Sequence, residues 1–296
     1  MKMKHPFTRR AISAIAASLF ILGACGGSSD STDTTAAPAK QLRIVSLSPT
    51  ATEMLYAIGA GDQVVAVDSL STYPAEVSDK VTKISAYEPS AEAILGYTPD
   101  VVLISNDMNK ITEQLTTANK DIQVWTGAAA ASIDDVYKQI TELGELTGKT
   151  TEATELVGTM KDRISKATTG VTPNTTASYY YELDNTYYSV TSNTFVGALL
   201  KPFGLKNIAD GVEEGNDYPQ LNAEAIAKAN PSVIFLADTK CCAVTKEVVS
   251  KRPGWSGIDA VKNGNVVELD DDVASRWGPR VVDLVEQFAE AVKALK

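Results

Sequence analysis

Two periods of apolar spacing run through the chain. Within residues 150–169, TTEATELVGTMKDRISKATT, Ala153, Leu156, Val157, Met160, Ile164 and Ala167 recur at three- and four-residue steps. Glu152, Glu155, Lys161, Asp162 and Arg163 fall mostly off that stripe, so the spacing predicts one long amphipathic helix. At a rise of about 1.5 Å per residue it spans roughly 28 Å, the width of a small domain. Short apolar runs predict strands at residues 42–47, 63–67, 101–104 and 233–236, with 81–84 as an edge strand. A capped helix follows Ser48-Pro49-Thr50 and ends at Gly59 or Gly61, and another runs from Ser132 to the Gly144–Gly148 region. Residues 177–190, ASYYYELDNTYYSV, predict a strand, a turn at Asp184-Asn185 and a second short strand.

The pattern repeats on either side of the long helix. Ser90-Ala91-Glu92-Ala93-Ile94 leads through Pro99 to Val101-Val102-Leu103-Ile104, and Asn222-Ala223-Glu224-Ala225-Ile226 leads through Pro231 to Val233-Ile234-Phe235-Leu236. The glutamates and the prolines are each 132 residues apart. Each copy predicts an N-capped helix, a break and a buried strand. Alternating strands and helices imply parallel α/β sheets. The chain therefore divides into an N-terminal lobe (41–149), a bridging helix (150–169) and a C-terminal lobe (170–296).

The ends add a compartment. Lys2, Lys4, Arg9 and Arg10 precede an apolar stretch at 11–22, too short to span a bilayer, and Leu22-Gly23-Ala24-Cys25 closes it. Residues 1–24 resemble a bacterial lipoprotein signal, with Cys25 as the lipidated first residue of the mature protein and membrane anchor. Residues 25–40, rich in Gly, Ser and Thr and without apolar periodicity, read as a flexible tether. Removing the signal leaves 23 basic and 37 acidic residues, a net charge of −14 that argues against nucleic acid and anionic lipid as partners. The single histidine, His5, leaves too. Serine-histidine catalysis and histidine-built metal sites are thereby excluded, and neither a resident metal nor a cofactor is expected.

RIVSLSPTATEMLYAIGAGDQVVAV, TYP and AEAILGYTPDVVLIS in the first lobe, and NAEAIAKANPSVIFLAD, RPGWSGIDAVKNGNVVELDDD and SRWGPRVVDLVEQFAEA in the second, form an ordered set. It resembles the substrate-binding proteins that serve ABC importers of cobalamin and ferric siderophores, from Arg43 to Lys293. The resemblance implies two Rossmann-like lobes bridged by one rigid helix, a ligand held between them with little closure, and a monomer that delivers it to a permease and its ATPase. It implies an extracytoplasmic, non-catalytic protein whose ligand, a corrinoid or ferric siderophore, is itself the metal complex.

In parallel α/β lobes ligands meet the loops at the carboxyl ends of strands. Those loops carry the candidate ligand-binding residues Tyr73, Tyr87, Trp125, Asp184, Tyr187, Asn193, Tyr218, Asp272, Arg276 and Trp277. Asp272 and Arg276 are placed at the cleft by the resemblance, a buried salt bridge being the alternative for Arg276. Of the five tyrosines within 179–188, each is a half-buried packing residue in one reading, while as a group they include cleft-lining rings in the other. Position 86, where cobalamin-binding relatives can carry an aromatic platform, is alanine, with Tyr87 as its substitute. The mature chain has only Arg43, Arg163, Arg252, Arg276 and Arg280, which favours a low-charge corrinoid over an anionic siderophore; haem is the alternative. Glu92 and Glu224 sit in first turns, where the helix dipole suffices to explain them; the resemblance adds docking to the permease. The adjacent Cys241 and Cys242 either form a strained vicinal disulfide or remain two thiols. Rival classes are a carboxylate-based enzyme using Asp270, Asp271 and Asp272, and an adhesion lipoprotein.

Overall fold

The structure, a computed structural model, describes residues Gln41–Leu295; the signal, Cys25 and the tether lie outside the described residues. Two four-stranded parallel sheets share one topology. The first contains β1 (Ile44–Leu47), β2 (Val64–Val67), β3 (Val101–Ile104) and β4 (Gln123–Thr126) in the order β2-β1-β3-β4. The second contains β5 (Ser178–Glu182), β6 (Lys206–Asn207), β7 (Val233–Leu236) and β8 (Val266–Glu268) in the order β6-β5-β7-β8. In each sheet the first strand of the lobe pairs with the strand of the repeated segment, Ile44 opposite Val101 and Tyr179 opposite Val233.

Both faces of each sheet are covered, so the central strands are continuously apolar. Val101 and Leu103 face an inner core that continues along the helices α4 (Ile133–Thr147) and α5 (Thr150–Thr169) to Tyr179, Tyr181, Phe235 and Phe288 of the second lobe. Val102 and Ile104 face a separate outer cluster, as Tyr180, Ile234 and Leu236 do in the second lobe. The bridge α5 buries Ala153, Met160 and Ala167. Its Arg163 binds Glu286 at 2.9 and 2.7 Å and Asp283 at 2.7 Å on the last helix, α11 (Val281–Ala294). Where α4 turns into α5, Gly148 has φ 72°, and a Cβ on Gly144 would collide with that of Ala153.

Two expectations change, and one of two open readings is decided. Residues 81–84 do not form an edge strand: one bridge joins Val81 to Val67, and the Thr82 hydroxyl then donates to Val67 O (2.7 Å) and accepts from Ile84 N (3.0 Å). Backbone bonds from Thr82 N to Val67 O (3.0 Å) and from Ser69 N to Ile84 O (3.1 Å) persist, and the pairing stops at the one bridge. The second strand of 177–190 is likewise absent, because β5 lies between β6 and β7 and offers no free edge for a hairpin. A turn in which Asp184 accepts from Thr186 instead carries the chain to a single Tyr188–Gln220 bridge. The tyrosines at 179–181 are core residues, Tyr179 and Tyr181 packed on Phe235 and Tyr180 on Trp255. None of these three lines a cleft.

Candidate functional site

A cleft of about 440 Å³ opens where the carboxyl ends of β1 and β3 face a segment of the second lobe. Leu47, Pro49 and Thr50 line it at one end, Ile104, Ser105, Asn106 and Met108 along one side, and Leu70, Ala86, Tyr87 and Pro89 along another. The second lobe contributes Asp272, Ser275, Arg276 and Trp277. Ser48, which caps the helix α1 (Pro49–Ala57) by accepting from Ala51 N at 3.2 Å, also accepts from the Ser105 hydroxyl at 2.8 Å. One cap thus ties the two strand ends together.

The second-lobe wall is held by carboxylates. Asp270 caps the short helix α10 (Asp271–Ala274), accepting from Asp272 N at 2.9 Å. Asp271 accepts from the Thr239 hydroxyl (2.8 Å), Lys240 N (2.9 Å) and Cys241 N (2.8 Å). Burial opposes ionisation of Asp271, yet the N–H groups of Cys241 and Lys240 hold its carboxyl below the usual carboxylate range. Lys240 Nζ bridges Asp270 (2.7 Å) and Asp272 (2.8 Å).

Arg276 crosses between lobes. It donates to Asp272 at 2.8 Å, to Glu53 of α1 at 3.0 Å and to Leu70 O at 3.3 Å. Arg280 joins the same carboxylate with two bonds, at 2.8 and 2.6 Å, and its guanidinium lies 3.9 Å from the Tyr73 ring centroid. Glu53 is 3% exposed. The hydrogen bonds to Glu53 raise the Arg280 pKa, against burial. Both expectations for Arg276 therefore hold together: it lines the cleft and it is a salt-bridge residue.

Of the predicted ligand-binding residues, the structure brings Tyr87, Asp272, Arg276 and Trp277 together; Tyr87 is 68% exposed, a ring standing at the mouth. Trp277 Nε1 donates to Gln139 at 3.2 Å. The other six do not line this cleft. Tyr73 lines a neighbouring hollow of about 540 Å³ with Glu53, Tyr56, Glu76 and Arg280. Trp125 lies within β4 and donates to Glu142 at 3.1 Å. Asp184 serves its own turn, Tyr187 packs 6.0 Å from Trp255, Asn193 donates to Asp217 at 3.1 Å, and Tyr218 is exposed. Sequence reasoning missed Glu53, Arg280, Leu70 and Met108. No periodicity marks Glu53: at 100° per residue it lies opposite the apolar stripe of Ala51, Met54 and Leu55, on the side of α1 that meets the second lobe.

Glu92 and Glu224 are both exposed, in the first turns of α2 (Ala91–Leu95) and α7 (Ala223–Ala229), with Ser90 and Asn222 accepting from the capped N–H groups at 3.3 and 2.9 Å. Cys241 and Cys242 are free thiols, the first exposed and the second half-buried. Behind them in the second lobe, Arg252 makes two bonds to the fully buried Glu182, at 2.6 and 2.5 Å, and lies 4.6 Å over the Trp255 ring. Asp238, also fully buried, has neither carboxylate oxygen hydrogen-bonded, and burial followed by the Glu182 charge pushes its pKa up to about 7.

Residues 44–273 match the sequence pattern of the periplasmic binding protein family. The ABC transporter substrate-binding lipoprotein YvrC of Bacillus subtilis is 35% identical over 84% of this chain and 79% of its own. A cobalamin-binding protein of Halobacterium salinarum is 31% identical over 84% of this chain and 69% of its own. The crystal structure of a periplasmic solute-binding protein from Staphylococcus epidermidis superposes with a TM-score of 0.70 at 28% identity, covering 86% of this chain and 99% of that one. Two parallel α/β lobes on one long helix, closed over a cleft and matched over most of their length, make this chain a member of the periplasmic binding protein family, the extracytoplasmic solute-binding components of transport systems.

Proposed function

We propose that the protein is the lipid-anchored binding component of an ABC importer and captures a corrinoid in the cleft between its lobes. The observation that carries this is the charge balance of the cleft. Its charged lining groups, Asp272 and Arg276, neutralise each other, and Arg276 is further tied to the buried Glu53. An anionic ferric siderophore needs cations free to meet it, whereas a large ligand of low charge needs apolar and aromatic walls with a few polar groups. Leu70, Tyr87, Met108 and Trp277 supply the walls, and Ser105, Asn106 and Ser275 the polar groups. The similarity to a cobalamin-binding relative supports the same reading.

In this role Cys25 carries the lipid, and the monomer docks through Glu92 and Glu224, one on each lobe, to a permease driven by its ATPase. Thermal unfolding with and without excess cyanocobalamin tests the assignment. At a hundredfold excess over the dissociation constant, binding to the native state stabilises it by about 2.7 kcal/mol. A clear upward shift is expected. No shift with cyanocobalamin, together with a shift on adding haem or a ferric siderophore, refutes the corrinoid assignment.

A further inference from the structure

The turn bearing Cys241 and Cys242 is fastened to the element that builds the second-lobe wall. Cys241 N and Lys240 N both donate to Asp271 on α10, Lys240 Nζ reaches Asp270 and Asp272, and Cys242 N donates to Asp238 O at 3.2 Å. Ala243, the next residue, has φ 54°. We propose that Cys241 and Cys242 are a reversible modification site: exchange with a small extracellular disulfide joins their sulfurs and loosens the turn's hold on α10, and with it Asp272 and Arg276 in the cleft.

The chemistry balances in two steps. One cysteine thiolate attacks the small disulfide, forming a mixed disulfide and expelling one small thiolate, which takes up a proton. The neighbouring thiolate then attacks the protein-side sulfur and expels the second small thiolate. Two protein S–H bonds and one small S–S bond are consumed; one protein S–S bond and two small thiols are formed. The protein pair loses two electrons to the small disulfide.

Three features give the site its properties. Cys241 is exposed, so the first attack has access. Although the residue is exposed, desolvation of its sulfur, then the neighbouring Cys242, pushes the Cys241 pKa up to about 12, so exchange quickens as pH rises. Adjacent Cα atoms stand at ~3.8 Å, closer than disulfides prefer, so the closed ring is strained and readily reduced. That ring contains the peptide whose N–H now donates to Asp238 O. Closing it turns this N–H away and drags on the Cys241 N–H held by Asp271.

The test uses the whole protein treated with oxidised glutathione at pH 8.5. Trypsin cuts after Lys240 and Lys246, isolating both cysteines on a peptide free of Cys25. The expected product is that peptide short of two hydrogens, without a glutathione adduct and closed to alkylation, reverting with dithiothreitol. Hydrogen–deuterium exchange of residues 269–278 in the ligand-free protein should then quicken roughly tenfold, the effect of losing about one hydrogen bond. Asp271→Asn should show the faster exchange without oxidant, and the double variant Cys241→Ser/Cys242→Ser should not respond to oxidant. Two alkylatable thiols, a stable glutathione adduct, or a disulfide that leaves exchange unchanged would each overturn the proposal. The readout needs no ligand, so its failure is distinct from failure of the corrinoid assignment.

Discussion

Replacing Glu53 with alanine removes the carboxylate that both Arg276 and Arg280 grip across the lobe boundary. Arg276 keeps Asp272 as a partner, while Arg280 keeps its contact with the Tyr73 ring and the more distant charge of Asp270. Breaking a buried ion pair by deleting one member costs about 3–5 kcal/mol, since the surviving charge stays desolvated. The two guanidinium side chains are 13% and 18% exposed, so solvent reaches them in part and the lower end, about 3 kcal/mol, applies. Unfolding entropy near 2.1 cal/mol/K per residue over this domain converts that loss to a Tm lowered by about 6 °C. Calorimetry on the purified protein reads it directly. Glu53→Gln, which keeps the volume and one acceptor, should fall by less. A Tm within 1 °C of the wild type for Glu53→Ala would refute the claim that this cluster holds the lobes together.

Reversing charge at both Glu92→Lys and Glu224→Lys should abolish uptake in a reconstituted importer while leaving the ligand dissociation constant unchanged; weakened binding would point to misfolding instead. The Asp238 pKa near 7 lies above its ordinary 3.8, so between these values the native state holds the extra proton. Stability therefore falls as pH rises from about 4 to about 7 and levels off above. Urea titrations across that range should show the slope in the wild type and lose it in Asp238→Asn, which should be the more stable protein above pH 7. At the α4–α5 turn, Gly144→Ala forces a methyl into Ala153 and should cost about 1–3 kcal/mol, read as a lower urea midpoint.

The architecture was open to reading because its signals are local and repeated. The stripe from Ala153 to Ala167 gives α5 within a residue at each end, and the doubled helix-proline-strand pattern gives two sheets of one topology. The strand expected at 81–84 shrinks to one bridge, beside which the Thr82 hydroxyl adds local bonds to Val67 O and Ile84 N that residue pattern cannot foresee. The tyrosine-rich run failed for a different reason: a central strand buries both its faces, so alternation says nothing about a cleft. Site residues divided in the same way. The segment from Asp272 to Trp277 was found through its likeness to a family, while Trp125, Asp184 and Asn193 were placed only by lying near strand ends, and each is occupied by a local partner. Arg280 was out of reach because its meaning depends on a carboxylate 227 residues away.

A helix shared by both lobes and a buried cross-lobe ion cluster oppose any large change of outline between a full and an empty cleft. A transporter that meets it must then tell cargo from no cargo by something other than shape. Empty copies compete for the same landing place, so flux should follow the fraction of binding protein loaded rather than its abundance. Overproducing the protein when nutrient is scarce would slow import, and the work of prising the cargo loose falls on the machine that receives it.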